Sequence, residues 1–209
     1  MSFFRLTLDD PVPPACVGAV AAIGNFDGVH LGHQALAGQA RAQAQALGCT
    51  SLAVTFDPHP LELLRPDDFQ PVLTTLPDRA DLLQAAGVDH VLALGIDASF
   101  LRLSARAFFT QVVVERLQAR GLVEGFNFAF GKGREGTTAR LQELGREFRV
   151  AVTLAAAREL AGRPVSSSRV RNALLAGDAA EAATLLGRPY RLTGKVAAGQ
   201  QRGKALGFP

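Results

Sequence analysis

The sequence lacks long apolar runs and has few cysteines. No stretch of about 18 apolar residues occurs, which excludes a transmembrane helix. The two cysteines, Cys16 and Cys49, are far apart in the chain, so we expect free thiols in a reducing compartment rather than a disulfide framework. The first residues lack a basic segment followed by an apolar stretch, so we expect a cytoplasmic protein without a signal peptide.

Lysine is also scarce, since 3 lysines accompany 19 arginines. The basic residues are scattered, and no Lys/Arg tract of about five to eight residues occurs, so we expect no nucleic acid and no membrane as partner. The net charge of +3 still suits an enzyme that binds several phosphates, because arginine pairs bidentately with phosphate oxygens. Apolar residues make up 48% and charged residues 20%, which excludes wholesale disorder.

Apolar runs alternate with helical patterns along the 209 residues, a length of one domain and a fragment at about 150 residues per domain. The patterns predict strands at residues 17–26, 50–56, 90–96, 122–130 and 150–154, and helices at residues 33–47, 77–86, 104–120, 137–148, 169–175 and 179–186. Strands separated by long helices indicate an α/β fold with a mostly parallel sheet. Such a sheet binds ligands at the carboxyl ends of its strands, so the loops after the first, second and fourth predicted strands are candidate sites.

The first of these loops, residues 24–33, reads GNFDGVHLGH. Gly28 permits a tight turn, and Gly32 permits a close approach of the backbone to a ligand. His30 and His33 share one face at the positive end of the following helix, which suits a polyphosphate. Imidazole donors there could stabilise charge that develops on a phosphate. The alternatives are a metal site, although no Cys or Glu is spaced to complete it, and helix capping without function.

The second loop places His59 between two prolines, the second of which is Pro60. The prolines restrict the backbone on both sides, so the loop could hold His59 rigidly for substrate positioning. The alternative is a proline-rich strand exit without a role in binding.

The loop after the fourth strand places Asn127 between two phenylalanines, where its amide could hydrogen-bond a flat heterocycle. Strand packing is the more usual explanation of such a pattern. Residues 131–136 match G-x-G-x-x-G, but the match follows the fourth strand and lacks an acidic ribose partner. No Ser or Thr follows Lys132, which excludes a Walker loop.

Three serines at residues 166–168 precede an apolar helix, with Arg163 and Arg169 nearby. Serines in such a position are ordinary helix caps, but hydroxyls, free N–H groups and arginines also form an anion site. Two helix N-termini could therefore hold one triphosphate from two sides. The sequence shows no pair of a nucleophilic side chain and a neighbouring base. This suits a reaction in which the attacking group is a phosphate that is already ionised. Catalysis would then rest on alignment and charge neutralisation.

Residues 24–33 resemble the H-x-G-H signature of the nucleotidyltransferase superfamily, and the longer form GNFDGVHLGHQ resembles the bacterial riboflavin kinase/FMN adenylyltransferase (FAD synthetase) family. Residues 56–60, 125–136 and 166–171 occur in that family's order, and residues 194–209 are similar to the start of its kinase barrel. The resemblance implies a Rossmann-like nucleotidyltransferase fold at residues 1–187 and a short, incomplete β segment at residues 188–209. It also implies transfer of AMP from ATP to FMN with release of pyrophosphate, in the presence of Mg²⁺.

The family's functional residues fall on defined positions of this chain. The resemblance implies catalytic roles for His30, His33 and Arg169. The implied ATP-binding residues come from the first loop and the serine run: Gly24, Asn25, Phe26, Asp27, Gly32, Ser166, Ser167 and Ser168. The implied FMN-binding residues are His59, Pro60, Asn127 and Arg163. Two departures stand out, because Ser168 replaces the usual Thr, and Glu124-Gly125-Phe126 replaces the commoner Val-Gly-Glu.

Three other functions remain open at this point. Another H-x-G-H nucleotidyltransferase is one, although the kinase-like tail favours flavin chemistry. A Rossmann oxidoreductase that uses residues 131–136 is the second. The third is a non-catalytic nucleotide-binding remnant, against which the intact His30, His33 and serine run argue. Because the sequence stops within the kinase-like motif, we expect this chain not to phosphorylate riboflavin by itself.

Overall fold

The computed structural model describes residues 1–194 and the single residues 197, 202 and 207. Within this part of the chain, six strands form one sheet: β1 (Ser2–Leu6), β2 (Val20–Ile23), β3 (Ser51–Asp57), β4 (His90–Gly95), β5 (Gly121–Gly125) and β6 (Ala151–Ala155). Their order is β1-β4-β3-β2-β5-β6, and every pairing is parallel. The predicted α/β fold with a parallel sheet is therefore confirmed.

Helices connect the strands and cover both faces of the sheet. They are α1 (Leu31–Ala46), α2 (Pro60–Leu64), α3 (Leu76–Ala85), α4 (Ala105–Phe108), α5 (Thr138–Phe148), α6 (Ser167–Leu175) and α7 (Ala179–Leu186). The chain continues from α4 as a π-helical segment, Phe109–Arg116. A short antiparallel pair, β7 (Glu159–Leu160) and β8 (Arg163–Pro164), precedes α6. Side-chain oxygens of Thr75, Ser104, Thr137, Ser166 and Asp178 cap the N-termini of α3 to α7, which explains why these helices begin where they do.

The core consists of two clusters that lie on opposite faces of the sheet. The central strand β3 contributes Leu52 and Val54 to one face and Ala53 to the other, as expected of a strand that is covered on both sides. Small residues on α1 (Ala37, Ala40 and Ala44) belong to the second cluster and let this helix approach the sheet closely. A third cluster joins α6 and α7 to the start of α1 and to Leu73. The two C-terminal helices are thus fixed beside the N-terminus of α1.

Several elements differ from the sequence predictions. Strand β1 and the β7–β8 pair were not predicted, and β5 ends at Gly125 rather than at residue 130. The strand β2 is also shorter than the predicted residues 17–26. Of the predicted β segment at residues 188–209, residues 188–194 are irregular, and most of the rest lies outside the described residues.

Cys16 and Cys49 are both free thiols, as expected. Among the described helices, none combines the length and apolar character that a membrane span requires.

Candidate active site

A crevice opens where strands β2 and β5 separate. Their pairing is limited to Val20 with Gly121 and Ala21 with Leu122, although β2 continues to Ile23 beside β3 and β5 continues to Gly125 beside β6. The strand order reverses between β2 and β5, and ligands of open parallel sheets bind at the carboxyl ends of strands at such a position.

A cavity of about 380 Å³ occupies this crevice. Four segments line it: the loop from β2 into α1, the end of β5 with the loop that follows, the residues after β6, and the N-terminus of α6. Among the sequence-predicted residues, the lining includes Gly24, Phe26, His30, Gly32, His33, Asn127, Ser166, Ser167 and Ser168. The cavity therefore brings the histidine pair and the serine run together.

His30 caps helix α1 and stacks on His33. Its Nδ1 accepts a hydrogen bond from the backbone N–H of His33 at 3.3 Å, and the two rings lie 3.6 Å apart at an angle of 17°. Because Nδ1 is an acceptor, the neutral ring carries its proton on Nε2, where it can donate to a ligand. A Cβ on Gly32 would lie 3.0 Å from Cε1 of His30, so glycine at this position leaves room for the ring.

Both histidines are neutral at physiological pH. Burial lowers the pKa of His30 to about 4, and burial together with the neighbouring imidazole lowers the pKa of His33 well below its usual value. A neutral imidazole can donate one hydrogen bond to a phosphate oxygen without a change of its charge state. The geometry thus suits hydrogen bonding to phosphates rather than proton transfer near neutral pH.

The backbone turn before His30 is held in a rare conformation. Gly28 has a φ of 82° and Val29 a φ of 41°, a region that β-branched residues strongly disfavour. A Cβ on Gly28 would also lie 2.8 Å from Leu73. The amide of Gly28 donates to Oγ1 of Thr74 at 3.1 Å. The strained turn is consequently fixed by its neighbours, and it determines the direction in which His30 enters the cavity.

The serine run begins helix α6 on the opposite side of the cavity. Ser166 accepts from the amide of Arg169 at 3.2 Å, so the predicted capping role is confirmed. Ser167 donates to the backbone oxygen of Asp27 at 2.8 Å, and Ser168 is exposed at the cavity surface. Helices α1 and α6 therefore both direct positive N-termini at one cavity.

Glu124 is a buried acid at the end of β5. Its side chain lines the cavity, is 2% exposed, and accepts the amide of Ile23 at 2.8 Å. Without this contact the amide would have no partner where β2 and β5 separate, because the strands no longer pair there. Burial raises the pKa of Glu124 well above its usual value, so the carboxyl group favours its protonated form.

Asp27 lies under the site and is enclosed by protein. Its carboxylate accepts the amides of Leu73 and Thr74 at 2.9 and 3.1 Å, and it pairs with Arg79 at 3.4 Å and with Arg171. These contacts tie the first loop to α3 and α6. Asp27 is not among the residues that line the cavity, and its predicted role in ATP binding stays a prediction.

The remaining predicted residues lie outside the cavity lining. Arg169 contacts Glu181 at 2.5 Å and the backbone oxygen of Leu160 at 2.9 Å, which joins α6 to α7. Arg163 is exposed in β8, and Asn25 contributes its backbone oxygen to Thr55.

His59 caps the short helix α2, which begins at Pro60. Its Nδ1 accepts the amide of Leu61 at 3.1 Å, and its ring packs 5.4 Å from that of Phe69. Burial lowers the pKa of His59, and the charge of Asp27 opposes this shift. Both His59 and Pro60 lie outside the cavity lining.

The G-x-G-x-x-G match at residues 131–136 has a packing role. Its first glycine, Gly131, has a φ of 74°, and a Cβ there would lie 2.5 Å from the amide nitrogen of Ala105. Phe130 and Gly136 form a bridge that closes the loop. The loop does not line the cavity, which removes the structural basis for a Rossmann oxidoreductase.

Two contributors were not predicted as site residues. Glu124 was noted only as a departure from a motif, although an acid inside an apolar strand signals a specific buried contact. Arg188 donates to backbone oxygens of the first loop. The sequence pattern that could have indicated it is an arginine directly after the glycine that ends α7.

The cavity does not form a metal site by itself. Within residues 1–194 and the three further described positions, no group of three or more His, Cys, Asp or Glu side chains could hold a metal ion. Glu124 is the one carboxyl group in the cavity lining, and it favours its protonated form. The residues described here therefore do not fit a resident Mg²⁺ ion, which usually requires ionised carboxylates or substrate phosphates.

Comparison with known proteins identifies the family. The model of the FAD synthetase family matches residues 13–169. The chain belongs to the FAD synthetase family. The model of a second family, riboflavin kinase, matches residues 186–209 of the same chain.

Curated relatives support this assignment. The bifunctional riboflavin kinase/FMN adenylyltransferase of Escherichia coli K12 is 37% identical over 192 residues, and the protein of the same name from Pseudomonas fluorescens is 42% identical over 192 residues. Each alignment covers 92% of this chain and 61% of the relative, so the chain spans about three fifths of the length of these relatives.

A solved structure has the same fold. The crystal structure of a protein named macrolide-efflux protein, from Streptococcus pneumoniae, matches with a TM-score of 0.83 and 29% identity. The match covers 98% of this chain and 67% of that one.

Proposed function

We propose that this protein is an FMN adenylyltransferase, which transfers AMP from ATP to FMN and releases pyrophosphate. The observation that carries the proposal is the cavity between β2 and β5, where two neutral histidines and two helix N-termini meet in a member of the FAD synthetase family. The names of the curated relatives agree with this activity.

The proposed reaction needs no protein nucleophile. A phosphate oxygen of FMN attacks the α-phosphorus of ATP, a new P–O bond forms, and the bond from that phosphorus to the bridging oxygen of pyrophosphate breaks. The electron pair of the broken bond leaves with pyrophosphate. FMN phosphate is already largely ionised at neutral pH, so the neutral imidazoles of His30 and His33 are not required as bases. Catalysis then rests on alignment and on hydrogen bonds to the phosphates.

The two helix N-termini and the Nε2–H of His30 are the proposed contacts of the triphosphate. Ser168 is exposed at the cavity, where its hydroxyl can donate, whereas the hydroxyl of Ser167 already donates to the backbone oxygen of Asp27. Asn127 lines the same cavity and is the proposed contact of the flavin. The proposed roles of His59, Pro60, Arg163 and Arg169 in FMN binding and catalysis are supported by the family's motif pattern alone.

Mg²⁺ enters the proposal as part of the ATP substrate. Nucleotide-dependent enzymes commonly bind this ion through substrate phosphates, and the protein residues described here do not form a centre for it. No step of the reaction above is assigned to the ion.

We also propose that residues 1–187 form the adenylyltransferase domain and that residues 188–209 begin a riboflavin kinase module. The kinase family match at residues 186–209 supports this division. Two free cysteines support a cytoplasmic location, and the scattered charge supports small-molecule substrates as the partners.

The direct test is to incubate the protein with FMN, ATP and Mg²⁺ and to separate the flavins by chromatography. We expect FAD and pyrophosphate in equal amounts, and no FAD above background would contradict the proposal. His30→Ala should lower kcat by about 10²-fold with little change in FMN affinity, because the lost donor acts on charge that develops during transfer. His90→Ala is the matched control, since His90 begins β4 and lies outside the cavity lining. Equal losses of FMN affinity and of kcat in His30→Ala would contradict the proposed role.

A further inference from the structure

We propose that Arg188 is a positioning residue, which holds the backbone turn at Gly28 and Val29 so that the imidazole of His30 faces the nucleotide. The inference rests on the proposed adenylyl transfer, because it assigns His30 to that reaction. Arg188 itself does not line the cavity and acts through the turn.

The guanidinium of Arg188 is bound by three backbone oxygens. Nη2 donates to the oxygen of Gly28 at 2.6 Å, and Nη1 donates to those of Val29 and Leu186 at 3.0 and 3.2 Å. Gly28 and Val29 are the two residues directly before His30. Gln34 adds a parallel link, because its Nε2 donates to the oxygens of Val29 and Leu186, both at 2.9 Å.

The turn needs such support because its conformation is strained. Val29 has a φ of 41°, and a bulky β-branched residue persists in this region only when its surroundings determine it. The planar fork of an arginine can hold two adjacent carbonyl groups at once. A lysine would supply one compact charge without the fork, so it should not fix both peptide groups.

The chain reaches this position through a specific turn after α7. Gly187 ends the helix with a φ of 67°, and a Cβ there would lie 2.7 Å from Cδ2 of Leu31. Arg188 then points back to the first loop, and Tyr190 packs against the cluster formed by α6 and α7. Arg191 joins the same segment to helix α3 by pairing with Asp78 at 2.5 Å.

Arg188 lies outside the FAD synthetase match and inside the riboflavin kinase match, which covers residues 186–209. The segment assigned to the kinase therefore contributes a residue that shapes the histidine turn of the adenylyltransferase. Arg188 thus supports the adenylyltransferase site from just beyond the proposed boundary after residue 187.

The charge of Arg188 also acts on His30. Burial is the main cause of the lowered pKa of His30; Arg188 lowers it further, and Asp27 opposes the shift. The other ring that faces His30 is the neutral His33, on which Arg79 acts. Removal of the Arg188 charge should therefore raise the pKa of His30. Because exposure of the ring would raise this pKa too, the tautomer of His30 and the rescue by guanidinium distinguish the two causes.

The test compares Arg188→Gln, Arg188→Lys and Arg188→Ala with Arg191→Gln in the full chain. Arg191 is the matched control, because it follows in the same segment and is itself exposed, but pairs with Asp78 of α3 rather than with the histidine turn. Measurements are kcat and KM for FAD formation, unfolding by far-UV circular dichroism, and the pKa and tautomer of His30 by imidazole nitrogen NMR.

We expect Arg188→Gln to lower kcat about tenfold to a hundredfold with little change in KM for FMN, as misplacement of a catalytic group does. The kcat of Arg188→Lys should be nearly as low as that of Arg188→Gln. Millimolar guanidinium should restore part of the kcat of Arg188→Ala. The kcat of Arg191→Gln should match that of the wild type. The His30 pKa should rise in Arg188→Gln.

Unchanged kcat in Arg188→Gln, or full recovery in Arg188→Lys, would overturn the proposal. A loss of stability without guanidinium rescue and with an unchanged His30 signal would overturn it too, because Arg188 would then be merely structural. If the wild type makes no FAD, the proposed function fails. In that case, the His30 NMR signal and the ATP affinity measured by calorimetry are compared between the wild type and Arg188→Gln. A difference in them would show, independently of activity, that Arg188 sets the geometry of the turn.

Discussion

The buried acid Glu124 provides a quantitative test of the site's construction. Its Oε1 accepts the amide of Ile23 at 2.8 Å where strands β2 and β5 separate. Glu124→Gln retains an acceptor for this amide but cannot ionise. Glu124→Val removes the acceptor and leaves a buried N–H without its partner, which costs about 1–3 kcal/mol of unfolding free energy.

The pH dependence follows from the direction of the pKa shift. Burial raises the pKa of Glu124 in the folded protein, whereas the unfolded chain ionises near the ordinary value of 4.5. As the pH rises above that value, the unfolded state loses its proton first and becomes favoured. The wild type should thus lose stability relative to Glu124→Gln by up to about 1.4 kcal/mol per pH unit, until the pH passes the folded-state pKa.

The assay is urea unfolding followed by far-UV circular dichroism from about pH 4 to about pH 8. The contributions of other titrating groups are common to the two proteins and cancel in the difference. Glu143→Gln is the control, because Glu143 is exposed and pairs with Arg140 on the surface of α5. Parallel stability curves for the wild type and Glu124→Gln would refute the reasoning, as would a Glu124→Val protein as stable as Glu124→Gln near pH 4.

Two further predictions concern the loops around the cavity. Asp27→Asn should lower the free energy of unfolding by about 3–5 kcal/mol, because it leaves Arg79 and Arg171 without their buried counter-charge. Thermal unfolding measures this loss, and Asp68→Asn is the control because Asp68 forms an exposed ion pair with Arg65. Equal melting temperatures for the two variants would contradict the prediction. His59→Ala should weaken FMN binding more than ATP binding, as calorimetry can measure, and an unchanged flavin affinity would remove His59 from the site.

Helices were easier to predict than strand ends. The predicted helix at residues 179–186 coincides with α7, because an acidic cap and a following glycine mark both ends. Strand β5 was predicted to residue 130, because alternating phenylalanines continue the strand pattern beyond Gly125. In the structure Phe128 and Phe130 pack against the core from a loop, so the hydrophobic pattern persists without strand pairing.

The meeting of the histidines and the serine run was predictable, because both mark helix N-termini, and two such ends can hold one triphosphate from two sides. The contact between Ile23 and Glu124 was not, because it joins residues that are distant in the chain at the place where two strands separate. The link from Arg188 to the turn before His30 depends likewise on the packing of α6 and α7, which no local pattern encodes.

The edge strand β1 has a consequence for biosynthesis. Its register pairs Ser2 with His90, so β1 is synthesised well before the strand beside which it lies. Long-range parallel pairing is slow, and unpaired strands expose nascent chains to aggregation. The edge strand β1 is thus left without its partner until the chain through β4 has been made.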